Sequence, residues 1–391
     1  MVAASGGASG PTGGASATGG GGGAPASTGG SAGVPGPSAG GGGTGGGAAA
    51  SGGSAGVPGP AASGGNTGGG PMSSGGSAGV AGAAGVAGSA GVAGAAGAAP
   101  APGTDGDGDF VIAPPYPGRV QPTNVPHSTM FQFTLPSGPI YGGGTRPITV
   151  YIPKQYQDGD DAPFTIVTDG NAPASGLPEI VTAAENHYED SNAATRIPPQ
   201  VFVFVPPGSN RSGEYDTVSD AFSRFINTEV LPLVESNADI KAAYPHFKLT
   251  TDPDGRAAYG CSSGSPAAMG LAWFGDFHRV VSYSGTFVAL QATADHPLGA
   301  WEYPSMILAA PLKPLRIFLE VAENDNGSTT AETGHRNWVI GNRNLAAALK
   351  MRGYHYRFLF AMGAGHCETG VKSKTYSETM AWVWRGYVPA P

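Results

Sequence analysis

The chain has 391 residues and a formal net charge of −8 at pH 7. A negative protein is repelled by the phosphate backbone, so the composition argues against nucleic acid as a partner. No apolar run approaches the roughly 20 residues that a membrane helix needs, so we expect no membrane span.

Residues 1–104 differ sharply in composition from the rest of the chain. They contain no acidic, basic or aromatic residue, no Leu and no Ile. A segment without large side chains cannot bury enough apolar surface to offset the entropy of ordering its backbone. The motif GGSAGV starts at Gly29, Gly52 and Gly75, so this segment repeats with a period of 23 residues. We therefore predict a disordered Gly/Ala/Ser-rich linker, with a glycine-rich structural segment as the alternative.

The N-terminus also bears on where the protein works. The first residues, MVAASGGASG, lack the basic and apolar regions of a signal peptide. A long uncharged tether is nevertheless typical of secreted or surface-anchored proteins. We therefore hypothesise an extracellular, cell-surface or periplasmic protein whose export signal is not present in this chain.

The acidic stretch DGDGD, residues 105–109, has the spacing of a calcium-binding loop. Phe110, however, stands where such a loop requires glycine, and Tyr116 stands where it requires a bidentate Glu. We therefore predict no metal site here. Residues 105–129 are expected to form a solvated hinge and domain edge, and residues 130–391 a single domain with a substantial core.

Predicted strands and helices alternate along this domain. Alternating polar and apolar residues predict strands at 130–135 and 147–153. Short apolar runs predict further strands at 164–170, 201–205, 279–285, 315–322 and 356–362. Helices are predicted at about 177–188, 219–236, 337–353 and 373–385. This pattern predicts an α/β fold with a mostly parallel, doubly wound sheet and helices on both faces. Ligands bind such sheets at the carboxyl ends of the strands.

The stretch YGCSSG contains a G-x-S-x-G motif centred on Ser262. Between a strand and a helix, this motif forms a nucleophile elbow that presents the serine at the tip of a tight turn. The surrounding RAAYGCSSGSPAAMGLAW supplies the strand, small flanking residues and a helix with Pro266 in its first turn. An ordinary Gly/Ser turn is the alternative. We predict that Ser262 is a nucleophile.

A nucleophilic serine needs a base, and the base needs a carboxylate that orients it. In this class of fold the acid follows the serine and the histidine comes last. Glu323 and Asp325 end one predicted strand, and His366 follows the last strand in a glycine-rich loop. Asp325 is the favoured acid because it lies farther into its loop, and Glu323 stays as the alternative.

Four other histidines are weaker candidates for the base. His278 and His296 precede the candidate acids, which is the wrong chain order. His335 is predicted to open a helix, and His355 to lie inside a strand. His335 and His355 are therefore expected to have structural roles.

From about residue 130 to 388, the chain resembles the enterochelin-esterase-like branch of the putative esterase family. The matching stretches are FTIVTDGNAP, NRSGEYDTVSDAFSRFINTEVLPLVE, DGRAAYGCSSGSPAAMGLAWFGDFHRVVSYSGTF, LRIFLEVAENDN and YHYRFLFAMGAGHC. The resemblance implies an α/β-hydrolase fold and a serine carboxylic ester hydrolase that needs no metal or organic cofactor. Its partner would be an ester substrate, either a small molecule or one linked to a polysaccharide; the oligomeric state stays undefined.

The resemblance also implies roles for individual residues. By motif, Ser262 is the nucleophile, Asp325 the acid and His366 the base, and the oxyanion hole uses N–H groups of Ser263 and of the loop at Gly170 and Asn171. Arg211 and Glu214, in NRSGEY, match a motif near the site of siderophore esterases. They are candidate substrate-binding residues, or else an ion pair that supports a loop.

The two cysteines depart from that branch. Cys261 precedes Ser262 and Cys367 follows His366, an arrangement that resembles tannase and feruloyl esterase relatives, in which a disulfide ties the two loops. If the serine and the histidine touch, their neighbours must lie within disulfide reach. We therefore predict a Cys261–Cys367 disulfide, with two buried thiols as the alternative.

The identity of the substrate stays open at this stage. The segment 286–306, which includes Trp301, is expected to form a wall of the substrate site, or else to fill the core beneath a long loop. Feruloyl or acetyl polysaccharide esters, siderophore esters and polyesters are all compatible with the motifs. Alternatives to hydrolysis are acyl transfer of the mycolyltransferase type and a non-catalytic surface binding module on a hydrolase fold.

Overall fold

The structure is a computed structural model that describes residues 105–116, 120, 127–128, 130–170 and 177–389. The linker expected over residues 1–104 lies outside the described residues, and so does Asn171.

The described chain alternates strands and helices in the predicted order. Its strands are β1 (Gly108–Ile112), β2 (Met130–Leu135), β3 (Arg146–Tyr151), β4 (Asp161–Ala162), β5 (Phe164–Thr168), β6 (Val201–Val205), β7 (Lys248–Leu249), β8 (Arg256–Cys261), β9 (Arg279–Tyr283), β10 (Arg316–Asn324) and β11 (His355–Gly365). Its α-helices are α1 (Glu179–Glu185), α2 (Arg211–Tyr215), α3 (Ala221–Phe225), α4 (Leu231–Ser236), α5 (Ala238–Ala243), α6 (Gly264–Phe274), α7 (Tyr303–Ala309), α8 (Trp338–Arg352) and α9 (Thr369–Val383). Short 3₁₀ turns lie at Pro253–Gly255, Gly299–Glu302 and Glu332–Gly334.

The main sheet has nine strands in the order β1-β11-β10-β9-β8-β5-β6-β3-β2. Neighbours from β1 to β6 are parallel, and only the β6–β3–β2 end of this sheet is antiparallel. The central strands β5 and β6, FTIVT and VFVFV, are buried along their whole length. Continuous apolar strands are expected where helices cover both faces of a parallel sheet. The predicted mostly parallel, doubly wound sheet is therefore confirmed.

The two faces of the sheet contribute to different cores. Successive residues of β6 point to opposite sides, so Val203 packs with one buried cluster and Phe204 with another. The first cluster includes residues of α6 and α8, such as Met269 and Leu345. The second includes residues of α1 and α9, which pack against each other. Because β5, β8, β10 and β11 run parallel in the sheet, their carboxyl ends lie at one edge.

The helix predicted over 219–236 is continuous but not uniform. Its middle, Ile226–Val230, is a π-helical turn between α3 and α4. Pro232, the second residue of α4, has no N–H to donate to the carbonyl of Thr228, so the regular α-helical ladder cannot continue through it. The sequence pattern correctly predicted the apolar face and not this local widening.

The DGDGD stretch is part of the fold rather than a solvated hinge. β1 begins within it and pairs in parallel with β11 at the edge of the sheet. The carboxylate of Asp105 is buried and accepts from the guanidinium groups of Arg316 at 2.5 Å and Arg385 at 3.0 Å. These partners lie more than 200 residues away in sequence, which is why composition alone indicated a solvent-exposed segment.

Candidate active site

A two-residue turn joins β8 to α6 and carries Ser262 at its tip. Ser262 has a φ of 58°, a left-handed conformation that is strained for a residue with a side chain. The turn is closely packed: a Cβ on Gly260 would lie 2.0 Å from the carbonyl oxygen of Gly264, and a Cβ on Gly264 would lie 2.2 Å from Thr168 Oγ1. Both flanking glycines are thus sterically required. This is the geometry of a nucleophile elbow.

Ser262, His366 and Asp325 form one hydrogen-bonded sequence. His366 Nε2 lies 2.9 Å from Ser262 Oγ, and His366 Nδ1 lies 2.6 Å from Asp325 Oδ1. A carboxylate only accepts hydrogen bonds, so Nδ1 carries a hydrogen and Nε2 is free to accept the serine proton. Asp325 follows β10 and His366 follows its parallel neighbour β11, so the sheet itself brings the two side chains together.

The carboxylate of Asp325 is held in place by its own loop. It is 2% exposed, and its Oδ1 also accepts from the N–H of Asn326 at 2.7 Å. The rival acid Glu323 points elsewhere, because its Oε2 accepts from the N–H of Gly363 at 2.7 Å. The structure thus brings Asp325, and not Glu323, to the histidine.

The rival histidines have other partners. Their contacts are His278 with Asp254 at 2.8 Å, His296 with Glu302 at 3.0 Å, His355 with Asp107 at 2.8 Å, and His335 with the ring of Trp301 at 5.0 Å between centroids. His335 does not open a helix as predicted, since it lies in a left-handed conformation three residues before α8. His366 is the histidine that the fold places on Ser262.

The predicted disulfide is confirmed. Cys261 and Cys367 are bonded, with their Cα atoms 6.3 Å apart. The bond connects the residue before Ser262 to the residue after His366, so one covalent link joins the two loops that hold these side chains. In the chain-entropy model, closing a loop of about 100 residues destabilises the unfolded chain by roughly 4 to 5 kcal/mol.

Two of the three candidate oxyanion residues, Ser263 and Gly170, follow the neighbouring strands β8 and β5. Ser263 occupies the N-cap position of α6, at the positive end of that helix, and is 7% exposed. Gly170 follows β5 after Asp169, whose φ is 55°. A Cβ on Gly170 would lie 2.6 Å from Phe204 Cβ, so this position needs glycine. The third candidate, Asn171, lies outside the described residues.

Arg211 fixes the strand end that leads to Gly170. Its Nε and Nη2 donate to the two carboxylate oxygens of Asp169 at 2.6 and 2.7 Å. The N–H of Asp169 donates to the hydroxyl of Tyr215 at 3.2 Å. Two residues of α2 thus hold Asp169, whose carboxylate in turn packs close to Gly264 of the elbow.

Glu214 belongs to a different ion pair. Its two oxygens accept from the guanidinium of Arg146 at 2.6 and 2.9 Å, and both side chains are buried. Arg211 and Glu214 are therefore not partners of each other. The carboxylate of Glu214 is thus engaged by Arg146 and, at 3.1 Å, by the N–H of Gly208, a geometry that favours the structural alternative for this residue.

Trp301 lies in the 3₁₀ turn Gly299–Glu302 and packs against His335. Within the same segment Tyr303 is buried in the core, as the alternative prediction for 286–306 stated. The aromatic residue in contact with His366 is instead Trp338, which meets the imidazole edge-on with ring centroids 6.4 Å apart. The sequence analysis missed Trp338, although its place at the start of the helix after the Asp325 loop was a usable signal.

A buried carboxyl group lies beneath the site. Burial, and then the charge of Asp325, raise the pKa of Glu320 to about 8. The Ser284 N–H donates to Glu320 Oε2 at 3.2 Å, and the Ser284 hydroxyl accepts from the N–H of Cys367 at 2.9 Å. Glu320 is therefore connected through Ser284 to the loop that holds His366.

The described ranges contain no candidate metal cluster and no candidate membrane span. Within them, no group of three or more His, Cys, Asp or Glu side chains is arranged to hold a metal ion. No helix between residues 105 and 389, as far as these are described, has the length and apolarity to cross a membrane.

Solved structures similar to this chain have low sequence identity to it. Ferric enterobactin esterase from Salmonella typhimurium is 18% identical, with a TM-score of 0.48, and the match covers 67% of this chain and 59% of that one. The BES protein from Bacillus cereus is 18% identical, with a TM-score of 0.47, covering 69% of this chain and 99% of that one. A ferulic acid esterase is 17% identical, with a TM-score of 0.47, covering 66% and 99%. The chain thus spans less than two thirds of the Salmonella protein.

Sequence comparison identifies the family. Among curated protein sequences, none matches this chain significantly. The family described as "Putative esterase", in contrast, matches residues 141–370, which is more than half of the chain and includes Ser262, Asp325 and His366. The observed sheet, with its elbow between β8 and α6, is the α/β-hydrolase architecture that the resemblance implied. The chain therefore belongs to the putative esterase family.

Proposed function

We propose that the protein is a serine carboxylic ester hydrolase that forms an acyl-enzyme on Ser262. The observation that carries this proposal is the continuous sequence from Ser262 Oγ through His366 to Asp325, with distances of 2.9 and 2.6 Å. Asp325 orients the imidazole and stabilises its positive charge once Nε2 takes the serine proton. His366 is thus the general base and Asp325 the orienting acid.

In acylation, Ser262 Oγ attacks the ester carbonyl carbon while its proton moves to His366 Nε2. The carbonyl electron pair moves onto oxygen and gives a tetrahedral oxyanion. When this intermediate collapses, the bond to the alcohol breaks and the alcohol oxygen takes the proton from His366. The acyl group stays on Ser262.

Deacylation repeats these steps with water. His366 Nε2 removes a proton from water as the water oxygen attacks the acyl carbon, and the second oxyanion collapses by expelling Ser262 Oγ. The serine recovers its proton from His366, and the carboxylic acid leaves. In both halves, the N–H of Ser263 and one from the loop at Gly170 and Asn171 hold the oxyanion.

The substrate class and location are further parts of the proposal. The partner is an ester substrate, such as a feruloyl or acetyl polysaccharide ester or a siderophore ester, in keeping with the enterobactin and ferulic acid esterases among the similar structures. The protein works in an extracellular, cell-surface or periplasmic compartment. The disulfide supports this location, because such bonds persist in oxidising compartments.

Hydrolysis of p-nitrophenyl acetate and butyrate tests the chemistry. We expect Ser262→Ala to lower kcat by about 10⁴-fold or more, whereas the exposed serine variant Ser236→Ala keeps the wild-type rate. Equal rates for wild type and Ser262→Ala would refute the acyl-enzyme, and a wild type inactive on every ester would favour a binding module.

A panel of feruloyl, acetyl-xylan and catecholate-siderophore esters tests the substrate class. Running it with and without a sugar acceptor distinguishes hydrolysis from acyl transfer.

A further inference from the structure

Ser262 has a second side-chain neighbour besides His366. Thr286 Oγ1 lies 3.4 Å from Ser262 Oγ, and Trp338 Nε1 lies 3.2 Å from the same threonine oxygen. Thr286 is 1% exposed, so its hydroxyl has no access to bulk water. A buried hydroxyl hydrogen needs an acceptor among its neighbours, and the serine oxygen is within reach.

The hydrogen bonds that run from Trp338 through Thr286, Ser262 and His366 to Asp325 have a donor-to-acceptor direction, which the two end residues set. An indole N–H only donates, and a carboxylate only accepts. Between these ends, each hydroxyl hydrogen has an acceptor when Trp338 donates to Thr286, Thr286 to Ser262 and Ser262 to His366. The imidazole then donates to Asp325. This is the one polarity that directs the Ser262 proton toward the base rather than away from it.

We propose that Thr286 is a further catalytic residue, whose hydroxyl donates to Ser262 Oγ, and that Trp338 is a positioning residue for Thr286. The inference rests on the proposed function and deepens it. The hydrogen bond from Thr286 fixes the rotamer of the nucleophile so that its lone pair faces the substrate carbonyl. Thr286 gives up no proton, because the proton that leaves Ser262 goes to His366 and later returns from it.

The backbone holds Thr286 in place without help from its hydroxyl. The N–H of Thr286 donates to the carbonyl oxygen of Ser262 at 3.1 Å. Replacing the hydroxyl by a methyl group therefore leaves this backbone link intact. The 3.4 Å between the two side-chain oxygens is longer than an ordinary O–H···O bond, and such contacts commonly shorten when substrate is bound.

The proposal predicts a specific pattern among four variants. Thr286→Val lowers kcat on p-nitrophenyl acetate by about 10-fold or more, with KM little changed. Thr286→Ser restores the hydroxyl and stays within about 3-fold of wild type. Trp338→Phe removes the indole donor and lowers kcat by about 3-fold or more. The double variant Thr286→Val/Trp338→Phe is no slower than Thr286→Val alone, because Trp338 acts through the threonine.

Melting temperatures and the labelling rate with a fluorophosphonate complete the test. A wild-type kcat in folded Thr286→Val overturns the proposal. If Thr286→Val melts early, Thr286→Ala replaces it in the same comparisons, and a wild-type rate in Trp338→Phe overturns the positioning role of Trp338. If the losses in kcat of the two single variants multiply in the double variant, the proposal is also overturned, because Trp338 then acts through its packing on His366. If Ser262→Ala stays active, the proposed function fails and this inference fails with it; an inactive Ser262→Ala with a normal Thr286→Val refutes this inference alone.

Discussion

Cys261 and Cys367 are covalently bonded, and each is the immediate chain neighbour of a residue in the proposed triad. Ser262 and His366, which lie in hydrogen-bond contact, are therefore also joined through a bridge of only two residues. The backbone at Cys367 is held by a further hydrogen bond, which its N–H donates to the Ser284 hydroxyl. The bridge thus constrains the position of the Ser262 loop relative to the His366 loop.

Removing the disulfide should reduce both stability and activity. For Cys261→Ala/Cys367→Ala we expect a loss of about 2 to 5 kcal/mol in the free energy of unfolding. We also expect a fall in kcat at temperatures where the variant is still folded, because the two loops are no longer tied. Urea unfolding and ester hydrolysis of the same preparation measure the two effects. Full kcat in the folded variant would show that packing alone holds the loops in register.

Asp325 and Glu323 can be separated by matched substitutions on the same strand end. Asp325→Asn keeps the shape but presents an amide hydrogen or a neutral oxygen to His366 Nδ1, so we expect kcat to fall by about 10³- to 10⁴-fold. Glu323→Gln should stay close to wild type, because Glu323 only accepts from the N–H of Gly363. Steady-state kinetics on p-nitrophenyl butyrate provide the comparison. The reverse ranking of the two variants would assign the acid to Glu323.

Glu320 should make the stability of the protein depend on pH. Its folded-state pKa of about 8 lies above the ordinary value of 4.5, so the folded protein retains a proton that the unfolded chain has lost. The stability associated with this proton is complete below about pH 4.5 and is lost as the pH rises through about 8.

The isosteric variant Glu320→Gln tests this dependence, since it has no proton to lose. Relative to wild type, we expect a gain in unfolding free energy of less than about 1 kcal/mol at pH 5 and of about 4 to 5 kcal/mol at pH 9. Denaturant titrations of both proteins at the two pH values give the difference directly. A difference that does not grow with pH would mean that Glu320 is ionised in the folded protein without penalty.

Local chemistry explains which parts of the site could be predicted from sequence. The elbow at Ser262 depends on small neighbours between a strand and a helix, and the order of Asp325 and His366 follows from the order of parallel strands. Thr286 could not be recognised, because its proximity to Ser262 and Trp338 depends on how the turn after β9 meets the elbow and the start of α8. Asp105 was placed in a hinge for the same reason: its partner Arg316 is distant in sequence.

The ion-pair partners of Arg211 and Glu214, in NRSGEY, also lie far away in sequence and could not be predicted from the motif. The motif suggested one ion pair or two substrate contacts, whereas the structure has Arg211 on Asp169 and Glu214 on Arg146. A planar, bidentate clamp of this kind is specific to arginine. If it holds the strand end that leads to Gly170, then losing it should impair stabilisation of the oxyanion rather than binding of the substrate.

Arg211→Met should accordingly lower kcat by about 3- to 30-fold with little change in KM, since an oxyanion donor acts only in the transition state. The matched control is Arg224→Met, which removes an exposed Arg–Asp pair with Asp220 and should keep wild-type kinetics. A raised KM with unchanged kcat would instead show that Arg211 contacts the substrate, as its motif suggested. Unchanged values of both would mean that the hydrogen bond from the Asp169 N–H to Tyr215 is sufficient to hold this loop.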